Sequence, residues 1–239
     1  MTDGRRREME SPAAGRLDMH CLRCQNDSTT DLGVCQVCGG PLEKDPDRYF
    51  KAGMEAMSAG EIDLCTRLLG DCVKLNPDHL SGRYNLGIAL CLANQCDEAV
   101  EQYVAVMERE PDYPGVYTAL GQAAFGDYLY HMEQADSNRR AMFQFLKKAV
   151  EQDPTDVDAY FSLGNACIAV GSAAEALSWL HKAMKFHPDS SAIYFAAAKA
   201  YKMLRRRSEA VAMAKMAMEL SGPKDPLAEE INALFAEIG

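Results

Sequence analysis

Pro77, Pro111, Pro154 and Pro188 follow one another at intervals of 34, 43 and 34 residues, and each closes a stretch with the same internal order. Each stretch carries Tyr or Arg early, then Leu-Gly or Ala-Gly, then apolar residues at helical spacing. A fifth stretch keeps the order and lacks the closing proline. Glycine or alanine inside a helix lets another backbone approach closely, and proline ends a helix because it has no N–H to donate. The unit is therefore a pair of helices. One such pair cannot cover its own apolar face, so the pairs must stack, and stacking leaves a concave surface free for a ligand.

The positions repeat residue by residue. The first unit reads Tyr49, Ala52-Gly53, Ala56, Cys65, Leu69, Cys72, Pro77, and the second Arg83, Leu86-Gly87, Leu90, Ala99, Tyr103, Val106, Pro111. The fourth reads Tyr160, Leu163-Gly164, Cys167, Ala176, Leu180, Ala183, Pro188, and the fifth Tyr194, Ala197-Ala198, Tyr201, Ala210, Ala214, Ala217. Over residues 46–221 this order resembles the tetratricopeptide repeat (TPR) framework. The resemblance implies an all-α fold, a right-handed superhelical solenoid with repeats at 46–79, 80–113, 114–156, 157–190 and 191–222.

The third repeat departs from the pattern. Its first helix is regular at Tyr117, Leu120-Gly121 and Ala124, and its second is expected at Met142, Leu146 and Ala149. Nine extra residues lie around Tyr128–Asp136. They either lengthen the helices or raise a ridge of Tyr128, Tyr130 and His131 over the groove. Past the repeats, Asp225-Pro226 reads as a helix start, and Leu227, Ile231, Leu234, Phe235 and Ile238 form one apolar stripe. A solubilising cap is expected over 225–239.

Ahead of the repeats, Cys21-x2-Cys24-x10-Cys35-x2-Cys38 presents two CxxC hooks. Two hooks complete a tetrahedral thiolate site, the arrangement Zn2+ takes in structural roles, with no open position for a catalytic water. A redox dithiol or an iron–sulfur site is the alternative. Residues 19–42 resemble a zinc ribbon, although Leu22-Arg23 and Gln25 depart from the usual Pro and Gly of the first hook. Residues 1–18 are expected to be a disordered tail. The other cysteines, Cys65, Cys72, Cys91, Cys96 and Cys167, are scattered, which fits a reducing compartment and a cytoplasmic location. They read as small core fillers, with a redox switch as the alternative.

The formal charge of −10 argues against a general affinity for nucleic acid, and no run approaches the length of a membrane span. No Walker loop, HExxH helix, GxSxG elbow or dinucleotide fingerprint occurs, so an enzyme is not expected. The resemblance implies that the first helix of each repeat lines the concave face. That assigns to a partner-binding groove Phe50 and Met54; Tyr84, Asn85 and Ile88; Thr118, Gln122 and Phe125; Phe161 and Asn165; Phe195 and Lys199. The basic residues of a carboxylate clamp are absent. An apolar groove suits an amphipathic helix or an extended peptide, and the reading is a non-enzymatic adaptor. The alternatives are a ribbon-bearing nucleic-acid regulator and a redox- or metal-responsive chaperone. Two basic groups stand out from the acidic whole, Lys202 with Arg205-Arg206-Arg207, and Arg139-Arg140 with Lys147-Lys148.

Overall fold

A small residue in the middle of a helix decides how near the next helix can lie, and the fold is built on that contact. The computed structural model describes residues 18–20, 27–29, 45–130, 135–222 and 227–238. Two strands, β1 (Asp18–His20) and β2 (Asp27–Thr29), precede helices α1 (Pro46–Ser58), α2 (Ile62–Leu75), α3 (Leu80–Leu92) and α4 (Cys96–Arg109). Then follow α5 (Val116–Tyr130), α6 (Ala135–Gln152), α7 (Val157–Ala169), α8 (Ala173–Phe186), α9 (Ser191–Met203), α10 (Arg207–Leu220) and α11 (Leu227–Ile238). The chain divides into two compact units, Met1–Gln95 and Cys96–Gly239, so the division falls inside the second repeat. The expected tail lies outside the described residues except for Asp18, which belongs to β1.

In the first unit, β1 pairs antiparallel with β2, Asp18 opposite Thr29 and His20 opposite Asp27. The carboxylate of Asp45 caps α1 by accepting from the Asp47 N–H at 3.0 Å, and Pro46 takes the first helical position. Helix α2 packs against both α1 and α3. A Cβ added at Gly53 would sit 2.8 Å from the fully buried Leu69 side chain, so only glycine allows this approach. His79 caps α3. Its Nδ1 accepts from the Gly82 N–H at 2.8 Å, which leaves Nε2 to donate to Asp47 at 3.1 Å.

The second unit contains the hairpins α5–α6, α7–α8 and α9–α10, with α4 packed on α5 and α11 on α9 and α10. The glycine contact recurs: a Cβ at Gly164 would lie 2.6 Å from Leu180, and one at Gly121 only 2.4 Å from Leu146. The offset is 16 residues in the pairs 53/69 and 164/180 and 25 in the pair 121/146, so the nine extra residues of the third repeat enter between the two contact points. They lengthen both helices: α5 has 15 residues and α6 has 18, against 13 and 14 in the next hairpin. Of the expected ridge, Tyr128 is half-buried on α5, while the Tyr130 side chain and His131 lie outside the described residues.

Each regular first helix ends the same way. Gly60, Asn94, Gly171 and Arg205 all adopt positive φ, 76°, 63°, 82° and 56°. The three N–H groups that follow each helix bond back to its last turns, as in Glu61 to Ala56 at 2.9 Å and Ser172 to Cys167 at 2.8 Å. Arg205 holds this conformation without glycine's freedom. At the turns between repeats, the early Tyr or Arg bonds back to the proline carbonyl: Arg83 Nε donates to Pro77 O at 2.8 Å, and Tyr160 OH to Pro154 O at 3.0 Å.

The repeated residues form the core. Cys65, Leu69 and Cys72 in the first unit, and Leu120, Leu146, Leu163, Leu180, Ala210 and Ala214 in the second, are fully buried. Ile231, Leu234 and Ile238 of α11 join the buried cluster of the last repeats, with Leu227 and Phe235 packed beside it. Asp225 and Pro226, expected to start this helix, lie outside the described residues.

The glycine contact makes a signed prediction. At Gly70, inside α2, an added Cβ would meet nothing within 4 Å, so Gly70→Ala should stabilise by about 0.5–1 kcal/mol through helix propensity alone. Gly121→Ala gains the same propensity but drives a methyl into Leu146 and should destabilise by about 1–2 kcal/mol net. Urea unfolding of the two variants measures both. Shifts of the same sign would show that close approach at Gly121 is not a constraint.

Candidate functional site

First and second helices bury different fractions of their surface, and that difference locates the exposed site. In the second unit α7 touches α5 and α9 as well as its own partner α8, so the first helices are surrounded. Helix α9 buries Ile193, Phe195, Ala196, Ala197, Ala198, Ala200 and Tyr201, whereas α10 buries the single stripe Ala210, Ala214 and Ala217. What the first helices leave open is a narrow strip. Phe125 on α5, Phe161 and Asn165 on α7, and Lys199 on α9 are half-buried there. Gln122 is exposed and ties α5 to α7 by donating to Ser162 Oγ at 3.1 Å. The ammonium of Lys199 lies 4.7 Å from the Phe195 ring centre.

Two residues expected on that strip are buried instead. Thr118 is 7% exposed and donates to the Asp156 carboxylate at 2.5 Å, while the other oxygen of Asp156 caps α7 by accepting from Ala159 N–H at 2.9 Å. Phe195 is 6% exposed and shares a buried cluster with Ile231 and Leu234, because α11 packs on α9 and closes the end of the layer. Thr118 thus ties α5 to the cap of α7, and Phe195 is core.

In the first unit, Phe50 and Met54 on α1 and Tyr84, Asn85 and Ile88 on α3 are all half-buried. The Phe50 ring stands 5.0 Å from the ring of His79. Asn85 is partly engaged by its own helix, its Nδ2 donating to Ser81 O at 2.8 Å. Leu92, 60% exposed, extends the apolar face of α3.

The proposed zinc ligands Cys21, Cys24, Cys35 and Cys38 lie outside the described residues. Among the described residues no cluster of His, Cys, Asp and Glu could hold a metal ion. None of the five cysteines among the described residues forms a disulfide, and four of them are buried. Burial, reinforced by Asp47 and Asp45, pushes the Cys72 thiol up to about 11. Burial, with Glu175 adding to it and Lys147 opposing it, pushes Cys167 up to about 12. At neutral pH neither thiol supplies a thiolate for disulfide exchange, so the core-filler reading holds for this pair.

The two basic groups differ in their surroundings. Lys202 pairs with Glu237 of α11, and Arg206 pairs with Glu209 at 2.6 Å while lying 4.9 Å over the Tyr201 ring. Bonds from Ser208 and Arg206 hold the Glu209 carboxyl down to about 2. On α6, Arg139 pairs with Asp136 at 3.1 Å and Lys148 with Glu151 at 3.7 Å, whereas Arg140 and Lys147 are exposed beside an open cavity. Sequence reasoning missed one aromatic patch, in which Lys182 lies 4.3 Å over Trp179 and Tyr160 stacks on Phe186 at 6.1 Å. Its signal was the spacing of Trp179, Lys182 and Phe186 along one face of α8.

Comparison with known proteins agrees with this geometry. Residues 138–200 match the tetratricopeptide repeat family model. No curated protein matches the chain in sequence. Among solved structures, TTC0263, a thermophilic TPR protein of Thermus thermophilus, is similar with a TM-score of 0.68 at 22% identity, covering 81% of this chain and 98% of its own. MamA is similar at 0.58 and 21% identity, covering 73% of this chain and 91% of its own. YrrB, described as a TPR protein with an unusual peptide-binding site, is similar at 0.54 and 20% identity, covering 79% and 92%. No helix among the described residues is long and apolar enough to cross a membrane. The helical part of the chain has the tetratricopeptide repeat fold.

Proposed function

We propose that the chain is a non-enzymatic adaptor that holds a partner peptide or amphipathic helix against its first helices. The observation that carries this reading is the strip on α5 and α7, where Phe125, Phe161 and Asn165 stay partly open while the equivalent surfaces of the core helices are sealed. Aromatic rings supply the contact area that dominates binding energy, and the amides of Asn165 and Gln122 can meet a peptide backbone. TPR proteins in general bind protein segments, and the fold-neighbour YrrB is described as having a peptide-binding site. The identity of the partner follows from neither. In this reading the buried cysteines, none of them in a disulfide, belong to a reducing compartment such as the cytoplasm.

The test is selection of peptides from a random displayed library on the whole chain, followed by fluorescence anisotropy. Phe161→Ala combined with Asn165→Ala should weaken a selected peptide at least about tenfold, or about 1.4 kcal/mol, with unfolding still cooperative. A selected peptide that binds the double variant as tightly as the parent would remove the groove assignment.

The same proposal gives Cys21, Cys24, Cys35 and Cys38 a structural Zn2+. Support comes from the thiolate-only donor set and from the pairing of β1 with β2, whose connection in the chain carries the first hook. Bound there, zinc would supply folding energy to a segment too small for a core of its own. Purified protein should contain one zinc per chain by elemental analysis, and Cys24→Ser should lose it while the helical signal stays. Iron in its place, or metal-free protein with all four thiols reactive, would overturn the assignment.

A further inference from the structure

We propose that the cavity beside α6 is a second docking surface, whose walls share no residue with the first-helix strip, and that it takes an acidic peptide segment carrying an apolar side chain. The cavity has a volume of about 470 Å³ and is walled by Arg139, Arg140, Phe143, Lys147, Val170 and Glu175. Arg140, Phe143 and Lys147 fall three and four residues apart, so one face of α6 carries a cation, a ring and a cation in a row. Phe143 is half-buried and packs on both core clusters of this unit, which makes it a fixed apolar floor.

The charges decide the occupant. Arg139 is taken up by Asp136, but Arg140 and Lys147 are exposed and have no ion pair among the described residues. The carboxylate on the wall, Glu175, lies in the first turn of α8, where the helix N-terminus offsets its charge. A chain of formal charge −10 thus keeps a local positive field around an apolar floor. Carboxylates meeting Arg140 and Lys147 would bracket a side chain set on Phe143. The other basic group offers no such site, since Lys202 and Arg206 already face carboxylates of this chain. The extra length of α6 touches this surface only through Asp136, which pairs with Arg139, since Arg139 and Arg140 occupy the positions at which the second helix of a regular repeat begins.

The test uses the whole chain and a short fluorescein-labelled peptide of glutamates with two spaced phenylalanines. Anisotropy should detect binding that weakens at least about tenfold in Arg140→Glu with Lys147→Glu, and that weakens also when salt rises from about 50 to about 300 mM. The charge-matched control, Lys51→Glu with Lys215→Glu, should leave affinity within about twofold, as should the groove variant Phe161→Ala with Asn165→Ala. Equal loss in the control pair would mean general charge attraction, and loss in the groove variant would place the peptide on the first helices. Equal binding of the same peptide with glutamine for glutamate, or tighter binding of an RNA oligonucleotide lost in the same α6 variant, would overturn the proposal.

Discussion

The contact of a glycine on one helix with a buried leucine on the next is what the remaining structure depends on. At Gly53–Leu69, Gly121–Leu146 and Gly164–Leu180 the glycine leaves less room than a methyl group requires. Leucine fills that place because the packing is as dense as an organic crystal, and no side chain can be added without displacing that leucine. The fifth repeat meets the same need with alanine on both sides, Ala198 and Ala214, each fully buried. Once the contact is set, the rotation of each helix is set with it.

That rotation decides which surfaces can bind. A second helix has a core on one side, so it shows an ordinary amphipathic stripe, as α10 does with its three alanines. A first helix has neighbours on several sides and buries small residues nearly all round, as α9 does. Only a strip is left, and the large residues on it are the ones with room to meet a partner. The outer surface differs at α6, whose extra first turn carries Asp136, the ion-pair partner of Arg139.

Much of this was legible in the chain. The proline intervals marked the repeats, and the Leu, Ala and Cys positions that the repeat order picks out from Cys65 to Ala217 are buried, whereas its early residues Arg83 and Tyr194 stay half-open. The groove was legible less evenly. Phe161 and Asn165 sit on the open strip, but Phe195 occupies the equivalent position and is buried, because the pattern of one repeat cannot register that α11 will pack on α9. Thr118 is hidden for a related reason: its partner Asp156 is the last residue of its own repeat and the cap of α7, and a repeat order that stops at each closing proline does not see the bond. His79 as the cap of α3 was invisible, since histidine is not a usual capping residue and its role depends on Asp47 holding the ring.

A double-mutant cycle at Gly164 and Leu180 tests the central contact most directly. Gly164→Ala should destabilise by crowding Leu180, and Leu180→Ala by about 2–5 kcal/mol through the cavity it opens. With both changes the methyl enters the vacated space, so the double variant should be more stable than the sum of the singles by about 1 kcal/mol or more. Strict additivity would mean that the two helices are not held together at this point.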